Sequence, residues 1–321
     1  MDLEGFATHS RDLQIVSFRE TVRRYVIDAD SWRLGRTGEL AQALAKPRVH
    51  FIYLHHVFDD EIDGFRRTLA EIQRTHRFVT YSEAVELVYA GTVDRPTVCV
   101  SFDDGLLTTL KASQVMDELG IKGCFFVCPA IVGEKKRPIV KRFAQTRLGY
   151  PAMDVLDWSQ CEDMLRRGHE IGSHTFSHPN MGDVSVEQAI DELQYSKEHL
   201  VRRLGKVEHF AWPSGRWNNF SSHAAKAVFD LGYRSVASAV RGCHMPRATP
   251  VLPRQVCLRR DHVMGSWPLH HNMYFLARSV RRAAQHDYEW PRSWMPTIMR
   301  ERVSSPSDRT RIDVPMAGVS H

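Results

Sequence analysis

The run Thr97-Val-Cys-Val-Ser-Phe102, followed at once by Asp103-Asp104-Gly105, is the segment from which the fold of this chain can be inferred. Its apolar and β-branched residues predict a buried strand, and the polar turn after Phe102 ends it. A helical pattern over residues 82–90 precedes the strand, and a second helix, ending at Gly120, follows it. A buried strand between two helices is typical of a parallel sheet whose faces are covered by helices.

The same alternation continues in both directions from this strand. Two further helices are indicated by the capping boxes Ser159-x-x-Glu162 and Ser185-x-x-Gln188. A continuous repeat with six or more strands predicts an α/β fold with a closed or nearly closed barrel, in which functional groups lie at the carboxyl ends of the strands. The other predicted strands are residues 50–55, 123–128, 170–173, 208–212 and 233–238, and the other predicted helices are residues 64–76 and 221–231.

The repeat divides the chain into three regions. Residues 1–48 precede it and are predicted to be an N-terminal extension, and residues 49–288 form the main domain. Residues 289–321 are polar and rich in Pro and Ser without periodicity, so we expect a loosely ordered C-terminal tail.

Composition sets the broad class of the protein. With 43% hydrophobic and 25% charged residues, the chain is typical of a globular protein rather than a disordered, collagen-like or membrane protein. The formal charge of +5 indicates no specific partner, and no nucleic acid is expected. Residues 1–30 lack the apolar core of a signal peptide, which predicts a cytoplasmic protein without an integral membrane segment. The six cysteines form no CxxC pair and are expected to be buried free thiols.

Asp103 and Asp104 place two carboxylates side by side at the end of a buried strand. Because like charges disfavour each other there, the pair indicates a positive partner. The simpler alternative is that one aspartate caps the following helix while the other is solvated.

His174 and His178 form a second candidate pair. With 17 histidines in the chain, a single His-x-x-x-His spacing proves nothing by itself. Here, however, the pair follows the predicted strand 170–173, and Pro179 prevents a normal helix start, so both imidazoles could face one ion. Two imidazole nitrogens and one carboxylate make a site of the catalytic zinc type, which leaves the second carboxylate free to act as a base.

These motifs resemble the polysaccharide deacetylase (NodB-homology) family, carbohydrate esterase family 4, over residues 49–258. The resemblance implies a distorted (β/α) barrel of about seven parallel strands that hydrolyses N-acetyl groups of amino sugars. It implies that Asp103 is the catalytic base and that Asp104, His174 and His178 bind a divalent metal ion, with Zn²⁺ as the default and Co²⁺, Ni²⁺ or Mn²⁺ as alternatives. Three further blocks support the resemblance, namely Leu54-His55-His56-Val57, Gly168-His-Glu-Ile-Gly-Ser173 and Phe210-Ala-Trp-Pro213-Ser-Gly215.

The family also supplies a general acid, a histidine from a Leu-x-His block near the end of the domain. Leu269-His270-His271 has those letters, so His271 is the predicted acid, with His270 and His262 as alternatives and a surface histidine as the simpler interpretation. The predicted substrate-binding residues are His55, Trp212, Pro213 and Trp217, and a core role for Trp212 is equally open.

One position departs from the family pattern. Many members carry an arginine, which pairs with the catalytic aspartate, where this chain has Ala211. Without that cation the pKa of Asp103 should be less depressed, unless Arg216 or Arg254 compensates. Ser214 also stands where an aromatic residue is usual.

The sequence therefore predicts a metal-dependent deacetylase of an N-acetylated amino sugar in a poly- or oligosaccharide or its precursor. Its partners are then the carbohydrate substrate and the machinery of exopolysaccharide biosynthesis. Two alternatives stay open at this point: a hydrolase of a small non-sugar amide, and a non-catalytic carbohydrate-binding descendant.

Overall fold

A computed structural model describes residues 1–2, 5–13, 18–283 and 290–300 of the chain. Its centre is one sheet of parallel strands, as the alternation of strand and helix patterns predicts. The strands are β1 (Arg48–Leu54), β2 (Arg77–Phe78), β3 (Pro96–Phe102), β4 (Gly123–Val127), β5 (Glu170–Ser173), β6 (His209–Ala211), β7 (Ser235–Ala237) and β8 (Arg260–His262).

Seven of these strands follow one another around a nearly closed barrel. Their order is β7-β6-β5-β4-β3-β1-β8, and the short β2 pairs beside β3. Ala237 on β7 bridges to Leu258, two residues before β8, so the two ends of the path come together. The predicted (β/α) barrel of about seven parallel strands is confirmed.

Side chains alternate along each strand, so every second residue points into the interior of the barrel. Phe51, Cys99 and Phe126 pack together inside, with residues of the helix at 81–90. Ile52 and Val100, on the opposite face, pack in the cluster between sheet and helices. Burial on both faces explains why the strands appear in the sequence as continuous apolar runs.

Helices surround the barrel, and one of the two predicted capping boxes is found at its helix start. The predicted box of Ser185 and Gln188 is formed. The box predicted at Ser159 is wrong, because Asp157 caps that helix instead and exchanges hydrogen bonds with Gln160. The helices are α1 (Phe18–Arg36), α2 (Glu39–Leu44), α3 (Ile62–Gln73), α4 (Tyr81–Ala90), α5 (Thr108–Glu118), α6 (Arg137–Phe143), α7 (Trp158–Arg166), α8 (Val186–Leu204), α9 (Ser222–Asp230), α10 (Leu269–Arg282) and α11 (Met295–Ile298).

Both ends of the described chain pack on the barrel domain. Phe6 and Ala7 are buried near the N-terminus, and Ile27 on α1 packs in a buried cluster with Phe275 on α10. Residues 290–300 differ from the predicted loose tail, because Trp290 is buried; residues 301–321 lie outside the described part. The boundaries at residues 48 and 288 stay predictions.

Trp290 belongs to a cluster of four indoles. Trp212, Trp217 and Trp294 complete it, and neighbouring ring centroids lie 5.8–6.4 Å apart. The cluster joins the C-terminal segment to the end of β6. Apolar burial of this size explains why residues 290–300 adopt a fixed position.

Two expectations about the whole chain can also be compared with the structure. The six cysteines are buried, and the described residues contain no disulfide. In the same part of the chain, no helix combines the length and the apolar character that a membrane span requires.

Candidate metal and catalytic site

A pocket of about 370 Å³ opens at the carboxyl ends of the barrel strands. Asp103 and Asp104 after β3, and His174 and His178 after β5, all line it. The structure therefore brings the two sequence motifs together at the place that the barrel rule predicts.

Asp103 and Asp104 both reach the pocket because the backbone turns between them. Cys99, Ser101 and Asp103 alternate toward the inside of the barrel, so the next residue should point away. Asp104 instead has a left-handed backbone with a φ of 74°, which turns its carboxylate back to the pocket. A left-handed backbone is costly for a residue with a side chain, so the surrounding structure must enforce it.

The same strained backbone recurs around the pocket. Among the described residues, four residues other than glycine have a positive φ, and they are Asp104, Thr175, His178 and Ser214. Three of them line the pocket, and Thr175 lies between the two predicted histidine ligands. Clustering of such residues in one place is typical of functional sites.

Asp104, His174 and His178 are buried and bring three ligand atoms within 4.8 Å of one another. The Oδ1 atom of Asp104 lies 3.2 Å from Nε2 of His174 and 3.2 Å from Nε2 of His178. That oxygen nevertheless has no hydrogen-bond partner among the described residues. A buried carboxylate oxygen without a partner is costly, and its environment needs an explanation.

The opposite nitrogens of the two imidazoles supply the explanation. Nδ1 of His174 lies 2.8 Å from the carbonyl oxygen of Ala211, and Nδ1 of His178 lies 3.0 Å from that of Arg147. A carbonyl only accepts, so each Nδ1 carries the proton and each neutral imidazole presents a lone pair at Nε2. Two lone pairs and one anionic oxygen then face a common point, which is the donor set of a divalent cation.

Spacing and electrostatics agree with a cation at this point. Ligand atoms of a tetrahedral zinc site lie about 3.3 Å apart, close to the spacing between Asp104 and the imidazoles. Burial would lower the pKa of His174, but Asp103 and Asp104 raise it above the usual value. The negative charges of the two aspartates therefore favour a positive charge at this point.

Tyr150 completes the surroundings of Asp104. Its hydroxyl donates a hydrogen bond to Oδ2 of Asp104, the oxygen that does not face the imidazoles. Burial, followed by the Asp104 charge, raises the pKa of Tyr150 well above its usual value, so the phenol keeps its proton. Tyr150 therefore orients the carboxylate. No motif in the sequence indicates it, because the residue lies in the irregular segment before α7.

Asp103 is held by Arg260 on β8. The guanidinium donates two hydrogen bonds of 2.8 Å, one to each oxygen of the carboxylate. Burial would raise the pKa of Asp103, but Arg260, followed by His174, outweighs it and lowers that pKa below the usual value. The carboxylate is thus ionised and fixed, as a base must be.

Arg260 supplies the cation that the sequence lacks at Ala211. Neither predicted substitute does so, since Arg254 pairs with Asp230 at 2.7 Å and Arg216 is exposed. Arg260 is on β8 rather than on β6, where Ala211 lies, and it is outside the family motifs of this sequence. The signal in the sequence is the polar run Arg259-Arg260-Asp261-His262 near the end of the domain.

His271 does not lie in the pocket, and this corrects its prediction as the general acid. It is on α10, where its Nε2 lies 2.6 Å from Oδ1 of Asp28, and His270 contacts the same oxygen. The alternative His262 does line the pocket, together with His55 and His56. Leu269-His270-His271 matches the Leu-x-His pattern, but it lies on α10 outside the pocket.

The three pocket histidines other than His174 and His178 have different surroundings. The rings of His55 and His262 lie 5.3 Å apart, and Asp104 and Asp103 are the charges that act most strongly on His55. Burial lowers the pKa of His55. Burial also lowers the pKa of His262 well below its usual value, and the neighbouring His55 lowers it further. His56 is turned toward the buried Glu61, 3.0 Å from its carboxylate. Of these three histidines, His55 is the one whose main charged neighbours are the two aspartates.

The predicted substrate-binding residues are divided by the structure. His55 and Trp212 line the pocket, whereas Pro213 and Trp217 are not part of its lining. Trp212 is fully buried and stacks on Phe220 at 4.5 Å, so it forms wall and core rather than an exposed platform. Ser214 lines the pocket at the position where the family has an aromatic residue.

Comparison with known proteins supports the family named from the motifs. Residues 90–236 match the family model described as polysaccharide deacetylase. The chain is 30% identical over 154 residues to chitooligosaccharide deacetylase of Azorhizobium caulinodans, covering 46% of this chain and 61% of the relative. It is 26% identical over 156 residues to peptidoglycan-N-acetylmuramic acid deacetylase PdaA of Bacillus subtilis, covering 48% and 51%. The aligned region thus spans a half to three-fifths of these curated relatives.

Solved structures show the same fold. The deacetylase PplD of Streptococcus pyogenes, in complex with acetate, aligns with a TM-score of 0.55 at 17% identity, over 72% of this chain and 98% of that one. IcaB from Ammonifex degensii aligns with a TM-score of 0.57 at 21% identity, over 71% and 97%. At these identities the likeness establishes the barrel fold.

Proposed function

We propose that this chain, whose residues 90–236 match the polysaccharide deacetylase family model, hydrolyses the N-acetyl group of an amino sugar in a poly- or oligosaccharide or its precursor. Asp104, His174 and His178 hold a divalent metal ion, with Zn²⁺ as the first choice for two imidazoles and one carboxylate. The main support is Oδ1 of Asp104, which accepts no hydrogen bond from the described residues and faces two imidazoles whose protons are on the far nitrogen.

When bound, the ion supplies Lewis-acid polarisation of the acetyl carbonyl and lowers the pKa of water. Asp103 lies next to the ligand Asp104 and accepts the proton of the attacking water. Arg260 keeps Asp103 ionised before the reaction and fixes both of its oxygens. The arrangement assigns one carboxylate to the ion and the other to the proton.

The leaving amine requires a proton, and we assign its delivery to His55. This imidazole lines the pocket, and the charges of Asp104 and Asp103 act against the lowering of its pKa by burial. His262 packs against it at 5.3 Å and restricts the orientation of the ring. The role replaces the one predicted for His271, whose side chain is bound to Asp28 on α1.

Names of the relatives support the substrate class, since the two with the highest coverage are deacetylases of a chitooligosaccharide and of peptidoglycan. The alternative of a non-catalytic descendant rests on the arginine missing at Ala211 and on the lack of a clear general acid in the sequence, and Arg260 removes the first of these reasons. Association with exopolysaccharide biosynthesis and a cytoplasmic location stay predictions from the sequence.

The test is acetate release from a panel of N-acetylated mono- and oligosaccharides. Zinc-reconstituted protein is compared with His174→Ala, and with His223→Gln as a control for an exposed histidine on α9. We expect release by the wild type and the control but not by His174→Ala. Absence of release by zinc-loaded wild type across the panel would contradict the proposal and favour the small-amide hydrolase.

A further inference from the structure

A second group of one aspartate and two histidines lies outside the pocket, between α1 and α10. It consists of Asp28 on α1 and His270 and His271 at the start of α10. Oδ1 of Asp28 lies 2.7 Å from Nε2 of His270 and 2.6 Å from Nε2 of His271. All three ligand atoms lie within 4.8 Å of one another. We call these residues the α1–α10 cluster.

The two helices hold the α1–α10 cluster in place independently of its own contacts. Ile27 and Leu34 of α1 pack with Phe275 of α10 in a buried apolar cluster. One turn along from His270, the hydroxyl of Tyr274 donates a 2.9 Å hydrogen bond to Asp30. The register of α1 on α10 is thus fixed on both sides of Asp28, which removes much of the entropy cost of assembling three ligands.

Burial within the cluster is graded. The side chain of His271 is almost fully buried, whereas His270 and Asp28 are about half exposed, at 52% and 49%. An ion at this place would therefore have protein on one side and solvent on the other. Two imidazoles and one carboxylate with an open position is a common donor set for zinc and related transition metals.

We propose that Asp28, His270 and His271 form a second divalent-metal site, which fastens α1 to α10. The proposal does not depend on the function proposed for the pocket, and it assigns a role to the Leu269-His270-His271 motif that the pocket does not use. The ion would take the place of the two protons through which both imidazoles now contact one carboxylate oxygen. No residue of the barrel pocket takes part.

The present distances show how large the adjustment must be. Ligand atoms around a tetrahedral ion lie about 3.3 Å apart, so Asp28 must withdraw from the imidazoles by about 0.6 Å. Its half-exposed side chain can make this movement by a small rotation, while His271 stays fixed in the helix interface. We therefore expect weaker binding here than in the pocket, where the spacing of 3.2 Å already fits an ion.

The experiment counts zinc ions on untagged full-length protein after removal of metal by chelation. The probes are Zn²⁺ followed by calorimetry and elemental analysis, and Co²⁺ followed by its visible absorption. Asp104→Asn removes a ligand of the pocket site, so that binding at the second site can be measured alone. Asp28→Asn and His270→Gln each remove a ligand of the second site. Both side chains are about half exposed, so these substitutions should leave the fold intact. His223→Gln on α9 is the matched control for an exposed histidine.

We expect two zinc ions per chain for the wild type and His223→Gln, and one for Asp104→Asn, Asp28→Asn and His270→Gln. In the Asp104→Asn background, adding His270→Gln should weaken the remaining binding at least about tenfold. Zinc should also slow proteolysis within α1 in Asp104→Asn but not in Asp104→Asn with His270→Gln.

The proposal fails if the wild type binds one ion and Asp104→Asn binds none. It also fails if Asp28→Asn and His270→Gln keep two ions per chain. Neither result bears on acetate release by the pocket, so failure of this proposal and failure of the proposed function are distinguishable.

Discussion

The pocket and the α1–α10 cluster each contain one aspartate and two histidines, but in two different states. In the pocket, Oδ1 of Asp104 stays 3.2 Å from both imidazoles and has no hydrogen bond among the described residues. In the α1–α10 cluster, Oδ1 of Asp28 is hydrogen-bonded to both imidazoles at 2.6 and 2.7 Å.

In the pocket, the hydrogen-bond partners of the Nδ1 atoms determine this state. Carbonyl oxygens of Ala211 and Arg147 hold the protons of His174 and His178 on Nδ1, so their Nε2 lone pairs point inward. At Asp28 both Nε2 atoms instead bond to the carboxylate. The pocket therefore presents free lone pairs to an ion, whereas the α1–α10 cluster must first release the two protons that lie between its imidazoles and Asp28.

Asp104→Asn is the change with the largest expected effect. It removes the shared anionic ligand, and we expect the rate of deacetylation to fall by about 10⁴-fold because the electrophilic contribution of the ion is lost. Acetate release and zinc content measure the two consequences together. An equal loss of rate in Asp28→Asn, the matched change in the α1–α10 cluster, would contradict the assignment of catalysis to the pocket cluster alone.

Asp103→Asn separates the base from the ligands. We expect kcat to fall by about 10³-fold, because a carboxamide cannot accept the proton, while zinc binding in the pocket is retained. Kinetics and metal analysis on the same preparation measure both. Loss of the pocket ion in Asp103→Asn would mean that Asp103 is itself a ligand.

Arg260→Gln tests how the base is tuned. Burial raises the pKa of Asp103 once the guanidinium is removed, so the acid limb of kcat/KM should move to higher pH. At neutral pH we expect a loss of about tenfold to hundredfold, with partial recovery in Arg260→Lys. Arg254→Gln, which breaks an ion pair with Asp230 outside the pocket, is the control and should leave the pH profile unchanged.

Asp28→Asn should have the smallest effect on catalysis. Its side chain is half exposed and belongs to the α1–α10 cluster, so we expect the rate of deacetylation to change by less than about twofold. Steady-state kinetics at saturating zinc measures this. A large loss would show that α1 influences the pocket.

Several central features could be predicted from the sequence because they depend on local patterns. The apolar run before Asp103 predicted β3, and the order of the aspartate and histidine motifs predicted which residues meet at the pocket. Both follow from strand alternation and from the rule that functional groups lie at strand ends.

The rest depends on long-range contacts that no local pattern shows. β8 contains Arg260, Asp261 and His262, so it lacks the apolar run by which buried strands are found, and it was missed. Arg260 and Asp261 are buried because they are paired across the barrel, Arg260 with Asp103 and Asp261 with His50. Tyr150 was missed because an irregular segment places it on Asp104, and His271 was misassigned because its distance from the barrel could not be known.

The indole cluster gives the protein a built-in optical reporter. Four of the seven tryptophans lie within ring contact of one another, close enough for their electronic transitions to couple. Trp212 connects this array to the pocket wall, and Trp290 and Trp294 connect it to the C-terminal segment. Near-ultraviolet circular dichroism and intrinsic fluorescence should therefore register both a ligand entering the pocket and detachment of residues 290–300, without any added label.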